Sequence, residues 1–128
     1  MLLISKKKIA ENILIFNHSN NPEEIFNISN IFCLPSKREG FGNTVIESSA
    51  CEVPVVGSDI FGLQSSLIND LNGLTFKVNN VDDLTKKLSM LLEDENLCKK
   101  LGKNGRDYVL KNFSKQDVFN SIKSLILN

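Results

Sequence analysis

The sequence predicts a three-layer α/β/α domain built on a mostly parallel sheet of about four strands, with a helical C-terminal tail. Short apolar runs, NILIF, IFCLP, VPVVG and NGLTFKV, punctuate residues 12–78. They are apolar throughout rather than alternating, the pattern of strands covered on both faces. Helix-length or turn-rich segments separate them, and a leucine-rich stretch at helical spacing follows the last. With 128 residues the chain makes one domain, residues 1–128, of the commonest domain size.

NILIF, residues 12–16, reads as the first strand and is closed by the turn-rich NHSNNP. Pro22 suits the first position of a short helix over PEEIFNIS. IFCLP is the second strand, stopped at Pro35, and NTVIESSAC, residues 43–51, supplies about two helical turns before the third strand at VPVVG. The turn signals SDIFG and the amphipathic SSLIND then lead through Asn72-Gly73 into the fourth strand. In the tail, Val81, Leu84, Leu88, Leu91 and Leu92 recur at helical spacing, with Asp82 and Asp83 in the first turn. Gly102 and Gly105 mark a break between helices, and Ser114 caps a last helix carrying Val118, Ile122, Leu125 and Ile126 on one face.

Fifteen Lys plus Arg balance fifteen Asp plus Glu, so no net field favours nucleic acid, and any bound anion must be held by local geometry. Cys33, Cys51 and Cys98 contain no CxxC pair, which points to reduced thiols and a cytoplasmic location. The opening MLLISKKKIA places its apolar residues before its lysines, the reverse of a secretory signal. His18 sits in HSNNPEE as a loop residue, and no histidine or cysteine spacing suits a metal.

The stretch REGFGNTVIE carries the chemistry. Gly40 and Gly42 allow unusual backbone angles and close ligand approach, and the helix starting near Asn43 offers open N–H groups and a partial positive charge for a phosphate. With Asn43 as the cap, Glu47 lies one turn into the helix on the same flank. Two carboxylates beside a diphosphate would repel it unless each faces neutral hydroxyls at the two ends of the ligand, as in a nucleotide sugar. Each charge-assisted hydrogen bond of that kind contributes about 1.5–3 kcal/mol. Phe41 plugs the loop into the domain, and Asp59 reads as a loop cap.

PSKREGFGNTVIESSACEVPVVGSD followed by FGLQSSLINDLNGLTF resembles the donor-binding half of the retaining GT-B glycosyltransferases of family 4 type, with seven residues between Glu39 and Glu47 (the EX7E motif), PVV and NGL in order. The resemblance spans about residues 12–127 and implies a Rossmann-like fold, the incomplete C-terminal half of a GT-B enzyme. It implies that Glu39, as the catalytic-site residue, contacts the transferred sugar. Gly40, Phe41, Gly42, Asn43, Thr44 and Val45 would meet sugar hydroxyl and phosphate through their backbone, and Glu47 would grip the ribose. The reaction implied is retaining hexosyl transfer from a nucleotide-diphosphate sugar to a glycan or lipid-linked acceptor, without cofactor or metal, in the cytoplasm or at the inner face of the membrane.

This sequence departs from the family pattern at Glu52, where glycine is usual, at Ser48, where alanine is common, and at Ser65, where glutamate is frequent. The acceptor-binding domain and two opening strands with an Arg and a Lys for the diphosphate have no counterpart in residues 1–11. Loss of those cations is expected to weaken donor binding by about 3–6 kcal/mol, leaving the isolated chain inactive or very weak. Lys37 and Arg38 read as solvated surface charges. The acid/base pattern of GT-B nucleotide-sugar epimerases is not found. The alternative expectation is a non-catalytic module or a subunit of a split glycosyltransferase, pairing with a missing-half polypeptide or a second copy through an open sheet edge.

Overall fold

Three parallel strands form the sheet: β1 (Phe32–Leu34), β2 (Val55–Ser58) and β3 (Gly73–Phe76), ordered β1-β2-β3. Phe32 pairs with Val55 and Val55 with Gly73. The computed structural model describes residues 9–114 of the chain. Around the sheet lie helices α1 (Pro22–Asn27), α2 (Asn43–Ala50), α3 (Val81–Glu93) and α4 (Glu95–Asn112), with 3-10 turns at Ala10–Asn12 and Phe61–Leu63.

The strands are apolar on both sides because each face has its own core. Successive strand residues point to opposite faces, so Val55 and Val56 separate. Val55 packs with Val45 of α2 and with Leu63 and Leu67 of the β2–β3 connection. Val56 packs with Leu74, Phe76, Leu91 of α3 and Leu101 of α4. Both connections therefore lie on one face and the two long helices on the other, as same-handed crossovers in one direction require. Burial lifts the thiol pKa of Cys33 in β1, and burial together with the nearby Glu95 lifts that of Cys98.

The expected fourth strand is absent among the described residues. NILIF leaves the 3-10 turn as irregular chain, with Leu14, Ile15 and Phe16 exposed at 82%, 66% and 69%. A strand exists only through its ladder, and among the described residues NILIF pairs with no strand: β2 occupies one side of β1 and no described strand pairs with the other.

The expected break at Gly102 and Gly105 is also corrected. The chain breaks at Asp94, whose carboxylate accepts from the Leu97 N–H at 2.9 Å as an N-cap, and α4 runs unbroken through both glycines. Those glycines serve close approach: a Cβ on Gly102 would lie 2.1 Å from the Glu52 carbonyl oxygen, and one on Gly105 3.1 Å from Asn72 Cβ. The expected last helix after Ser114 lies outside the described residues.

Helix α2 ends in a Schellman motif. The Val53 N–H donates to the Ser48 carbonyl and the Glu52 N–H to the Ser49 carbonyl, both at 3.0 Å, with Glu52 at φ 61°. That left-handed position is the physical reason a glycine suits this turn, and Glu52 occupies it at a conformational cost of about 1–2 kcal/mol. The Arg106 guanidinium caps the same end, donating to the Ala50 carbonyl at 2.6 Å.

Candidate functional site

The candidate site lies where β1 hands over to α2. After β1, Pro35 and Ser36 start a loop that runs through Glu39 to Gly42, and α2 begins at Asn43. Gly42, not Asn43, is the N-cap: it sits at φ 78°, and its carbonyl accepts from the Val45 N–H at 2.9 Å and the Ile46 N–H at 3.4 Å. Asn43 is the first helical residue. Among the described residues no side chain caps this terminus, which leaves the first-turn N–H groups of Asn43 and Thr44 at the positive end of the helix dipole.

The two glycines differ in role. A Cβ on Gly42 would lie 2.4 Å from Leu63 Cδ2 and 2.9 Å from Ser66 Oγ, so this residue needs glycine for both backbone angle and space. Gly40 is not at a positive φ, contrary to the expectation that both glycines supply unusual angles. A Cβ there would meet nothing within 4 Å. Gly40 thus leaves bare main chain beside open space.

Glu39 is half-buried, and its carboxylate accepts from the Ser36 hydroxyl at 2.6 Å. Glu47 is exposed on α2 and lines an open cleft of about 280 Å³ with Pro22, Glu23 and Phe26 of α1 and with Ala50 and Cys51. Glu39 thus sits in the loop before α2 and Glu47 one turn into the helix, and the cleft beside α1 takes in Glu47 but not Glu39. Phe41 stacks edge-to-face on Phe113 at 5.6 Å, and Phe113 on Tyr108 at 5.7 Å, which ties the loop to the C-terminal end of α4. Thr44 is exposed on α2, while Val45 is fully buried under it.

A second hollow, of about 180 Å³, opens at the carboxyl ends of the strands between Pro35, Lys37, Ser58, Phe76 and Val81. It takes in Lys37 but neither glutamate. Arg38 and Asp59 are exposed, and the Asp59 N–H donates to the Phe76 carbonyl at 2.8 Å. Among the described residues no cluster of His, Cys, Asp or Glu is placed to hold a metal, and no helix is long and apolar enough to cross a membrane.

The floor of the site comes from residues that periodicity does not reveal. Gly62 packs so closely on the loop that a Cβ there would lie 1.9 Å from the Glu39 carbonyl oxygen. Leu63 and Ser66 fill the space beneath Gly42. The only sequence signal for them is the turn-forming SDIFG, which announces a loop but not what the loop supports.

Residues 1–108 match the family model described as glycosyl transferases group 1. The chain is 32% identical over 114 residues to the capsular polysaccharide biosynthesis glycosyltransferase CapM of Staphylococcus aureus, covering 89% of this chain and 30% of that protein. It is 41% identical over 88 residues to the N,N'-diacetylbacillosaminyl-diphospho-undecaprenol alpha-1,3-N-acetylgalactosaminyltransferase of Campylobacter jejuni, covering 69% of this chain and 23% of that one. Among solved structures, the sucrose-phosphate synthase of Thermosynechococcus elongatus superposes with a TM-score of 0.90 at 25% identity, over 97% of this chain and 32% of that one. The chain thus spans about 30% of the length of such relatives.

Proposed function

Because the chain belongs to the glycosyl transferases group 1 family and has the Rossmann-like architecture of one half of a GT-B enzyme, we propose that it supplies the donor-binding part of a retaining hexosyltransferase. The donor is a nucleotide-diphosphate sugar, as the sequence resemblance implies, and the acceptor a glycan or lipid-linked saccharide, a class that the names of the relatives suggest. The observation that carries this reading is the uncapped N-terminus of α2 beside bare main chain at Gly40.

When the bond between the anomeric carbon and the diphosphate oxygen breaks, negative charge grows on the leaving diphosphate. Open amides at Asn43 and Thr44 and the α2 dipole stabilise that charge without reorganising. Glu39 accepts from hydroxyls of the transferred sugar, with Ser36 fixing its rotamer, and Glu47 accepts from the ribose hydroxyls. The loop amides of Gly40 to Gly42 complete the cradle, whereas the Val45 N–H is already bonded to the Gly42 carbonyl, and the reaction needs no metal because the helix terminus takes that electrostatic role.

Calorimetric titration with uridine and guanosine diphospho-sugars tests this. Binding in the millimolar range is expected, weakened at least about tenfold by Glu47→Ala, the loss of one charged hydrogen bond. No heat at millimolar ligand, with Glu47→Ala indistinguishable from wild type, contradicts it.

The edge of β1, unpaired among the described residues, and the exposed Leu14, Ile15 and Phe16 favour a second reading, in which this chain is one part of a split enzyme or a partner-binding module. Light scattering is then expected to show concentration-dependent association that Ile15→Lys and Phe16→Glu reduce. A monomer at every concentration counts against it.

A further inference from the structure

The fully buried Asn72 makes three side-chain hydrogen bonds that join the floor of the site to the helix above it. Its Nδ2 donates to the Ser66 carbonyl at 2.7 Å and to Ser49 Oγ at 3.3 Å, and its Oδ1 accepts from the Ile68 N–H at 2.7 Å. Ser49 is near the end of α2, and Ser66 lies under Gly42 at its start. One carboxamide therefore ties Ser66 and Ile68 to the C-terminal end of α2, while Ser66 itself packs under Gly42 at the helix start. Because Gly62 touches the Glu39 backbone, any slip of that segment moves the loop.

We propose that Asn72 is a positioning residue whose carboxamide locks the segment beneath Gly42 to α2 and so sets the geometry of the Glu39–Gly42 loop. An apolar side chain of similar size would fill the space but leave the Ser66 carbonyl and the Ile68 N–H without partners in a dry interior, which strongly favours local rearrangement. The lock itself follows from the hydrogen bonds, and its effect on a nucleoside diphosphate rests on the donor-binding reading above.

Asn72→Asp separates this role from packing, because it keeps the shape and the Oδ1 acceptor while replacing the donating Nδ2 with an oxygen. The ionised acid repels the Ser66 carbonyl, whereas the protonated acid can donate to it. The readout is amide hydrogen exchange at Val45, Ile46, Leu63, Ser66 and Leu67, whose N–H groups are all bonded. The control is Leu91→Ala, a lesion in the core on the opposite face of the sheet.

At pH 8, Asn72→Asp is expected to speed exchange at those five amides at least tenfold more than at β2 and α3, with the excess shrinking toward pH 5.5. Leu91→Ala is expected to show no such excess. Wild-type affinity for uridine diphosphate is expected to fall at least tenfold in Asn72→Asp at pH 8. Uniform acceleration across the domain, or an excess that does not respond to pH, overturns the positioning role. A local, pH-dependent excess in Asn72→Asp, together with a wild-type chain that binds no uridine diphosphate, upholds the lock and overturns the donor-binding reading instead.

Discussion

Gly102→Ala is expected to destabilise the domain by about 3 kcal/mol or more, a large fraction of the total for a chain of this size. In an isolated helix the same change would stabilise by about 1 kcal/mol, because alanine is the better helix former. The sign reverses here because the new methyl would lie 2.1 Å from the Glu52 carbonyl oxygen and 3.5 Å from Pro54 Cδ. The carbonyl belongs to the left-handed turn that ends α2, so it cannot swing away without breaking the Schellman hydrogen bonds. Thermal unfolding should show the midpoint falling by about 10 °C or more. Gly105→Ala is the internal comparison. Its methyl would stand 3.1–3.3 Å from Asn72 and Ser49 side-chain atoms, so its loss should be smaller than that of Gly102→Ala. Equal midpoints for wild type and Gly102→Ala would show that α4 does not approach α2 as described.

Gly62→Ala and Gly40→Ala are expected to split stability from ligand binding. At Gly62 the added methyl falls 1.9 Å from the Glu39 carbonyl oxygen and 2.7 Å from its carbon, both backbone atoms. The loop must lift off its floor, with a cost of about 1–3 kcal/mol and loss of measurable nucleotide-sugar binding. At Gly40 the methyl meets nothing within 4 Å, so stability should change by less than about 0.5 kcal/mol. On the donor-binding proposal the methyl then stands in the opening that a diphosphate would use, and affinity should drop about tenfold or more, equivalent to about 1.4 kcal/mol. Calorimetry and thermal unfolding on the two variants read both quantities. Unchanged affinity in Gly40→Ala would mean that no ligand uses that opening.

The three observed strands, α2 and the position of the glycine loop were legible because each is a local pattern: an apolar run ended by Pro35, Pro54 before the Val55–Val56 pair, Asn72-Gly73 as entry to β3. NILIF was misread because its composition suits a strand while the partner that would make it one is a long-range fact. Gly102 and Gly105 looked like breaks because local propensity cannot register Glu52 and Asn72 on the other side of the contact. The same limit hid the site's support. Ser48, Ser49, Ser66 and Asn72 are fully buried, yet periodicity counts them as surface, and only their hydrogen bonds reveal why polar groups belong there. The departure at Ser48 is accounted for in this way: its hydroxyl donates to the Val53 carbonyl at 2.9 Å. Nothing in the structure explains Ser65 in place of glutamate, beyond its carbonyl accepting from the Tyr108 hydroxyl at 2.9 Å.

The most direct test of the donor-binding account is a nuclear magnetic resonance titration of the amide resonances with uridine or guanosine diphosphate. The account predicts that the largest shifts fall on Gly40, Gly42, Asn43 and Thr44, at the uncapped start of α2, and that they saturate in the millimolar range. Shifts confined to the hollow around Lys37, Ser58 and Val81, or none at millimolar nucleotide, would contradict it.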